Sequence, residues 1–292
     1  MTTKQRAGWI VSSLAFLTIG VAVGSSGSLQ TFALQSATST KLAQANPQER
    51  TLDADLYMQA SAEYAAVCLQ TYAWALERLR AKLAVERHSN LQPAVVMDLD
   101  ETVFDNGGYQ ALMYREKLSY IEELWSRWER DYPQDVRLVP GAKAFIDAAE
   151  QMGIAVVYIS NRLTKNQSST IAAIKHLDLS TENIDARLLL RDQSSDKTSR
   201  RQLAAQRYNV LMLVGDNLRD FSEDFVAPRL DANDDAGQQR AIAERLSKVE
   251  RVKYRFGNDW IILPNPAYGE WQRLIGNNPA SKLRTTSMKV SP

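Results

Sequence analysis

The residues of this chain with chemistry to offer come as pairs of acids. In "AVVMDLDETVFDN", residues 94–106, Asp98 and Asp100 stand two apart at the end of an apolar run. Two carboxylates beside a core repel one another and lose hydration, so a chain that keeps both has a cation or a proton for them to hold. A second pair, Asp216 and Asp220, follows the apolar run 210–214 in "VLMLVGDNLRDF". Gly215 lets the backbone turn there, and a spacing of four sets both acids on one helical turn. Hard oxygen donors with no histidine or cysteine among them suit Mg²⁺, which makes Asp98, Asp100, Asp216 and Asp220 the candidate metal residues.

Each feature also has a plain structural explanation. An isolated DxD commonly caps a turn, and Gly-Asp-Asn is a frequent turn tripeptide. Ser160 could cap a helix, and Lys197 could be a solvated residue at a helix start. The combination argues otherwise. Separate segments supply Asp98-x-Asp100-x-Thr102, Ser160-Asn161, Lys197 and Gly215-Asp216-x-x-x-Asp220 in chain order.

Strands must position these groups. The short apolar runs 94–99, 154–160, 188–190 and 210–214 read as buried strands, with 260–263 as one more. In an extended chain Asp98 and Asp100 point to one side, Glu101 points away, and Thr102 returns to their side. Helical spacing runs from Leu56 through Ala60, Tyr64, Val67, Thr71, Ala75, Leu79 and Leu83, which predicts one long amphipathic helix. Ser119-x-x-Glu122 has the form of a capping box opening a helix to about Arg130. Further helices are expected from Pro140-Gly141 to Gly153, over 168–177 and over 196–207.

This alternation predicts an α/β fold: a Rossmann-like parallel sheet with helices on both faces, spanning residues 51–275. Residues 106–138 carry their own helix and are expected to form a small, mainly helical cap. Residues 276–292 are expected to be a polar tail. Ligands of such sheets bind beyond the carboxyl ends of the strands, where the acids lie.

Composition narrows the chemistry further. A formal net charge of +1 over 292 residues makes no electrostatic case for a nucleic-acid polymer or an acidic lipid surface. The only histidines, His88 and His176, lie far apart, so a multi-histidine zinc or iron site is excluded. Cys68 is the sole cysteine, so no internal disulfide forms. No arginine stands six residues beyond it, so a thiol-phosphatase loop is absent, and it reads as a small packed side chain.

At the amino end, Lys4 and Arg6 precede an apolar run, 9–23, and Thr31-Phe32-Ala33 resembles a cleavage site. Residues 1–33 have the layout of a secretory signal peptide, and 34–50 that of a flexible linker. The run is shorter than the ~20 residues that span a bilayer, which favours cleavage. An uncleaved signal would instead tether the protein to a membrane.

The four motifs resemble those of the haloacid-dehalogenase (HAD) type phosphohydrolases. Longer stretches, "VVMDLDETVFDN", "VLMLVGDNLRDF", "IILPNPAYGEW" and "MQASAEYAAVCLQTYAWAL", are similar to the class C bacterial acid phosphatases, the lipoprotein-e type 5′-nucleotidase group. The likeness covers about residues 55–271. Lipoprotein members of that group carry a lipid-modified cysteine after the signal. This chain has no cysteine before Cys68, so the expectation is export to the periplasm or medium without a cysteine anchor.

What the resemblance implies is an acid phosphatase acting on phosphate monoesters. Asp98 would be the nucleophile, forming an aspartyl-phosphate, and Asp100 the acid and base. Thr102, Ser160, Asn161 and Lys197 would bind phosphate. Mg²⁺ would be held by Asp98, the Asp100 carbonyl and Asp216, with Asp220 on a metal-bound water. Trp125 and Tyr268 match positions that flank the substrate's base, so nucleoside 5′-monophosphates are the expected substrates; Trp128 is expected only to pack. A broader phosphatase or phosphotransferase, or a non-catalytic binding relative, is the alternative. A homodimer is compatible with the sequence.

Overall fold

Alternate residues of the central strand face opposite layers. Val95 and Met97 join the larger core with helical residues such as Leu79 and Phe145, while Ala94 and Val96 pack on the other side with Ala204. That two-residue period is what makes an apolar strand readable as buried on both faces. The computed structural model describes residues 51–85, 89–286 and 288. The expected signal peptide and linker, and His88, lie outside the described residues.

Among the described residues, five strands form one parallel sheet: β1 (Pro93–Met97), β4 (Ala155–Leu163), β5 (Leu188–Arg191), β6 (Asn209–Gly215) and β7 (Trp260–Ile262), in the order β5-β4-β1-β6-β7. Strand β1 lies between β4 and β6, with Ala94 beside Ala155 and Val96 beside Leu213. From β1 the chain passes to β4 and β5 on one side and then crosses back to β6 and β7 on the other, so the sheet has its switch point beside the end of β1, where Asp98 lies. The expected α/β class is the one observed. Helix α5 (Ala142–Gln151) and the leading helices cover one face, and α8 (Thr198–Arg207) covers the other.

The two-stranded antiparallel ribbon β2 (Phe104–Asp105) and β3 (Arg137–Leu138) forms a neck. Between its strands run helices α3 (Gly107–Arg115) and α4 (Glu122–Asp131). Helix α4 begins with Glu122 and Glu123, and Ile121 at its cap position makes no side-chain hydrogen bond. The capping box expected from Ser119 is therefore not formed; Ser119 lines a cleft instead.

The long leading helix is broken. Helices α1 (Leu52–Ala60) and α2 (Ala62–Val85) meet at Ser61, which is extended and whose hydroxyl bonds back to the Tyr57 carbonyl. The break resets the buried face of α2, which presents Tyr64, Cys68, Tyr72, Ala75 and Leu79 to the core. Val67, expected inside, is 39% exposed. Cys68 is fully buried, as a packing residue should be.

At the other end the chain stays attached beyond residue 275. The Asn277 amide donates to the Ala232 carbonyl at 2.8 Å, and Lys282 pairs with Asp235 at 2.7 Å at the start of α9 (Asp235–Arg251). Residues 276–282 thus continue the fold where a tail was expected, because the α9 start offers them carbonyl and carboxylate acceptors.

Candidate active site

Strand β1 ends at Met97, before the acids. The Asp98 amide still pairs with the Val214 carbonyl of β6 at 2.9 Å, and then the chain turns. The Leu99 carbonyl accepts from the amides of Thr102, Val103 and Phe104, and Glu101 takes a left-handed conformation at φ 56°. The strand alternation expected as far as Thr102 is therefore replaced by a tight turn. Asp98 and Asp100 still line one cleft, and Glu101 turns inward to accept from Asn106.

On the neighbouring strand, β6 ends at Gly215, and Asp216 follows at once. A single turn, Leu218–Asp220, returns Asp220 beneath it, with Asn217 and Asp220 capping that turn reciprocally. A Cβ on Gly215 would collide with the Asp220 side chain, so glycine is what allows this approach. Ligand oxygens of Asp98, Asp216 and Asp220 lie within 4.8 Å of one another. The Asp100 carboxylate stands outside this group, held by Arg162 at 2.8 Å.

Lys197, just before α8, sends its buried ammonium between two of the acids, 2.6 Å from Asp98 Oδ1 and 2.6 Å from Asp220 Oδ1. One ammonium cannot balance three carboxylates. Burial, with Asp220 and Asp100 adding repulsion that Lys197 only partly offsets, lifts the Asp98 carboxyl to about 7. Burial and the charges of Asp220 and Asp98 push Asp216 well above the ordinary range. Burial opposes the charge on Lys197, but Asp220 and Asp98 outweigh it and raise the lysine. The excess negative charge and the all-oxygen donor set fit a divalent cation held by Asp98, Asp216 and Asp220.

The expected phosphate residues divide into two layers. Lys197 and Asn161 line the cleft. Thr102 and Ser160 are fully buried behind it. The Thr102 hydroxyl lies 3.4 Å from Asp216 Oδ1, and that of Ser160 3.3 Å from Asp100 Oδ2. Trp125 and Tyr268 both line the cleft, which encloses about 680 Å³, and the Trp125 ring meets Tyr109 edge-on at 5.0 Å. Trp128 is buried and donates to Asn106 at 2.8 Å.

Several positioning groups belong to none of the four motifs. Asn265 donates to Asp216 Oδ2 at 2.8 Å while its own oxygen accepts from the amides of Ala267 and Tyr268. Arg200 holds the Ser160 carbonyl and the Asn161 side chain, and Arg201 holds the carbonyls of Arg219 and Asp220. One turn of α8 therefore braces β4 on one side of Asp98 and the turn after β6 on the other. Asn265 lies inside "IILPNPAYGEW", and the arginines follow Lys197 by three and four residues, so adjacency to a motif was the available signal.

A doubly wound sheet with an aspartate pair, a lysine and two further aspartates at its switch point defines a HAD-type phosphohydrolase. The HAD superfamily, subfamily IIIB (acid phosphatase), matches over residues 18–271, and the chain belongs to that family. Among solved structures, the class C acid phosphatase from Bacillus anthracis is 30% identical, covering 79% of this chain and 89% of that one with a TM-score of 0.67. A second structure of a Bacillus anthracis class C acid phosphatase, with tungstate bound, is 28% identical, covering 84% and 93%, also at 0.67. The protein is an acid phosphatase, a phosphomonoesterase acting on small phosphate esters.

Proposed function

We propose that this phosphatase is a Mg²⁺-dependent hydrolase of nucleoside 5′-monophosphates that works through an aspartyl-phosphate on Asp98. The carrying observation is that Asp98, Asp100, Lys197 and two aromatic residues, Trp125 and Tyr268, all line one cleft. An Asp98 oxygen attacks phosphorus as the bond to the leaving alcohol breaks, and Asp100 gives that alcohol its proton. Water then attacks the phosphorus and yields its proton to Asp100. Phosphate leaves, and Asp98 is regenerated.

A carboxylate nearing a phosphate dianion meets repulsion of about 4 kcal/mol per charge pair at about 4 Å near a protein surface. Bound to Asp98, Asp216 and Asp220, Mg²⁺ would supply the charge that offsets this. Lys197 and Asn161 take the phosphoryl oxygens, while Thr102 and Ser160 hold the acids behind them. Tungstate is a tetrahedral oxyanion, and its presence in the Bacillus anthracis relative supports an oxyanion site in this fold. Trp125 and Tyr268 would receive the base, and stacking accepts any base because each has a π-face.

Residues 1–33 have the composition of an export signal, so we place the mature enzyme outside the cytoplasm, as a free protein or tethered by an uncleaved signal. A screen of phosphate esters on the purified enzyme tests the substrate reading. Nucleoside 5′-monophosphates should lead, with similar kcat/KM across bases and activity lost in chelator and restored by Mg²⁺. Equal rates on glycerol phosphate would reduce the reading to a general acid phosphatase.

A further inference from the structure

Asp100 is held by groups that neither acid pair announces. Its Oδ1 accepts from Arg162 Nε at 2.9 Å and from Asn106 Nδ2 at 3.0 Å, and Arg162 Nη2 lies 2.8 Å from it as an ion-pair contact. Its Oδ2 has one longer contact, the Ser160 hydroxyl at 3.3 Å. One oxygen takes two hydrogen bonds and the guanidinium charge; the other is left for the cleft that Asp100 lines.

Asn106 ties this arrangement to the cap. Its amide nitrogen donates to Asp100 and to Glu101, and its amide oxygen accepts from Arg162 Nη2 at 3.0 Å and Trp128 Nε1 at 2.8 Å. A flipped amide would set its NH₂ against two donors and its oxygen against two carboxylates, so the network admits one orientation. Arg162 and Asn106 are fully buried, and the guanidinium lies 4.9 Å over the Phe104 ring. Burying a guanidinium is costly unless it is paired: Nε is used on Asp100 and Nη2 on Asn106, while Nη1 is buried without a hydrogen-bond partner.

We infer that Arg162 and Asn106 are positioning residues for proton transfer, fixing Asp100 so that Oδ2 faces the leaving oxygen, and that Trp128 makes this placement depend on cap helix α4. The inference rests on the reading of Asp100 as proton donor to the leaving group. A misplacement of about 1 Å can lower a rate about 10²-fold, and general acid catalysis contributes roughly 10²–10⁴-fold. The loss falls on esters whose leaving group needs a proton.

The test compares kcat/KM, which ends at departure of the alcohol, for glycerol phosphate and p-nitrophenyl phosphate. Asp100→Asn is the reference and should lower the first far more than the second. Arg162→Lys keeps the charge but loses the fork; it should lower glycerol phosphate about 30- to 100-fold and p-nitrophenyl phosphate less than about threefold. Trp128→Phe should act in the same direction by about three- to tenfold. Inhibition by inorganic phosphate should change less than about threefold in each, since the phosphate site is untouched.

If Asp100→Asn is selective while Arg162→Lys lowers both esters equally or neither, the positioning inference is overturned and the acid role stands. If Asp100→Asn lowers both equally, the acid role itself fails. Should Arg162→Lys prove unfolded by circular dichroism, Trp128→Phe decides, and an unchanged ester ratio there overturns the inference.

Discussion

Asp98 and Lys197 lie 99 residues apart in the chain, yet the lysine ammonium sits 2.6 Å from the Asp98 carboxylate, which joins the end of β1 to the start of α8. The same ammonium holds Asp220, so the proposed nucleophile belongs to a network that survives its neutralisation. Asp98→Asn should keep the fold, with an unchanged circular dichroism spectrum and thermal midpoint. Turnover should drop below about a hundredth of wild type, because an amide does not replace the carboxylate as nucleophile. Activity above a few hundredths in clean protein would remove Asp98 from that role.

Cation binding and pH should be linked through the crowded acids. The folded Asp98 carboxyl titrates at about 7 against an ordinary 3.8, and Asp216 is raised as well. Between those values the metal-free folded state binds more protons than the unfolded one, so its stability falls as pH rises from 4 towards 7. In chelator the thermal midpoint should be lower at pH 8 than at pH 5. Saturating Mg²⁺ at about 100 Kd should add about 2.7 kcal/mol, or roughly 5–10 °C, at pH 8. The gain should be smaller at pH 5, where the acids hold protons. An equal gain at both pH values would count against the three-aspartate cation site.

Asn265 tests the support of that site. Asn265→Ala removes the donor to Asp216 and the acceptor for two loop amides. The Mg²⁺ concentration for half-maximal activity should rise about 10- to 100-fold, as is usual when a ligand loses its hydrogen-bonded partner. At saturating Mg²⁺ most of kcat should return. An unchanged Mg²⁺ requirement would mean that Asp216 is oriented without Asn265.

Tyr268 separates base recognition from phosphate chemistry. Stacking on an aromatic ring is worth ~1–3 kcal/mol, or roughly five- to 150-fold in affinity. Tyr268→Ala should lower kcat/KM for AMP within that range and leave glycerol phosphate nearly unchanged, because glycerol has no ring. Equal losses on both esters would make Tyr268 a support of the loop it occupies.

Local pattern carried much of this protein. Apolar runs ending in acids marked β1 and β6, and strands alternating with helices marked a parallel sheet, because side-chain spacing along the chain is set by local geometry. Asp98, Asp216 and Asp220 stood out as a candidate cluster for that reason, while Lys197 stood out only through the resemblance of the four motifs. The breaks were harder: nothing in the apolar spacing signalled that Ser61 interrupts the leading helix, and a sound capping-box pattern at Ser119 was overridden by the loop that lines the cleft.

Tertiary structure alone decided which of these residues meet. Placing β1 between β4 and β6 brings Ser160 and Arg162 to Asp100, and Asp216 to Asp98, across separations of 60 to more than 100 residues that no local periodicity records. The turn after Met97 sent Thr102 behind Asp216 although strand alternation pointed it to the cleft. Arg162, Arg200 and Asn265 looked like ordinary polar residues in the sequence. Their partners are backbone carbonyls and carboxylates of distant segments, so their roles exist only once strand order and turn conformation have put those acceptors within about 3 Å of them.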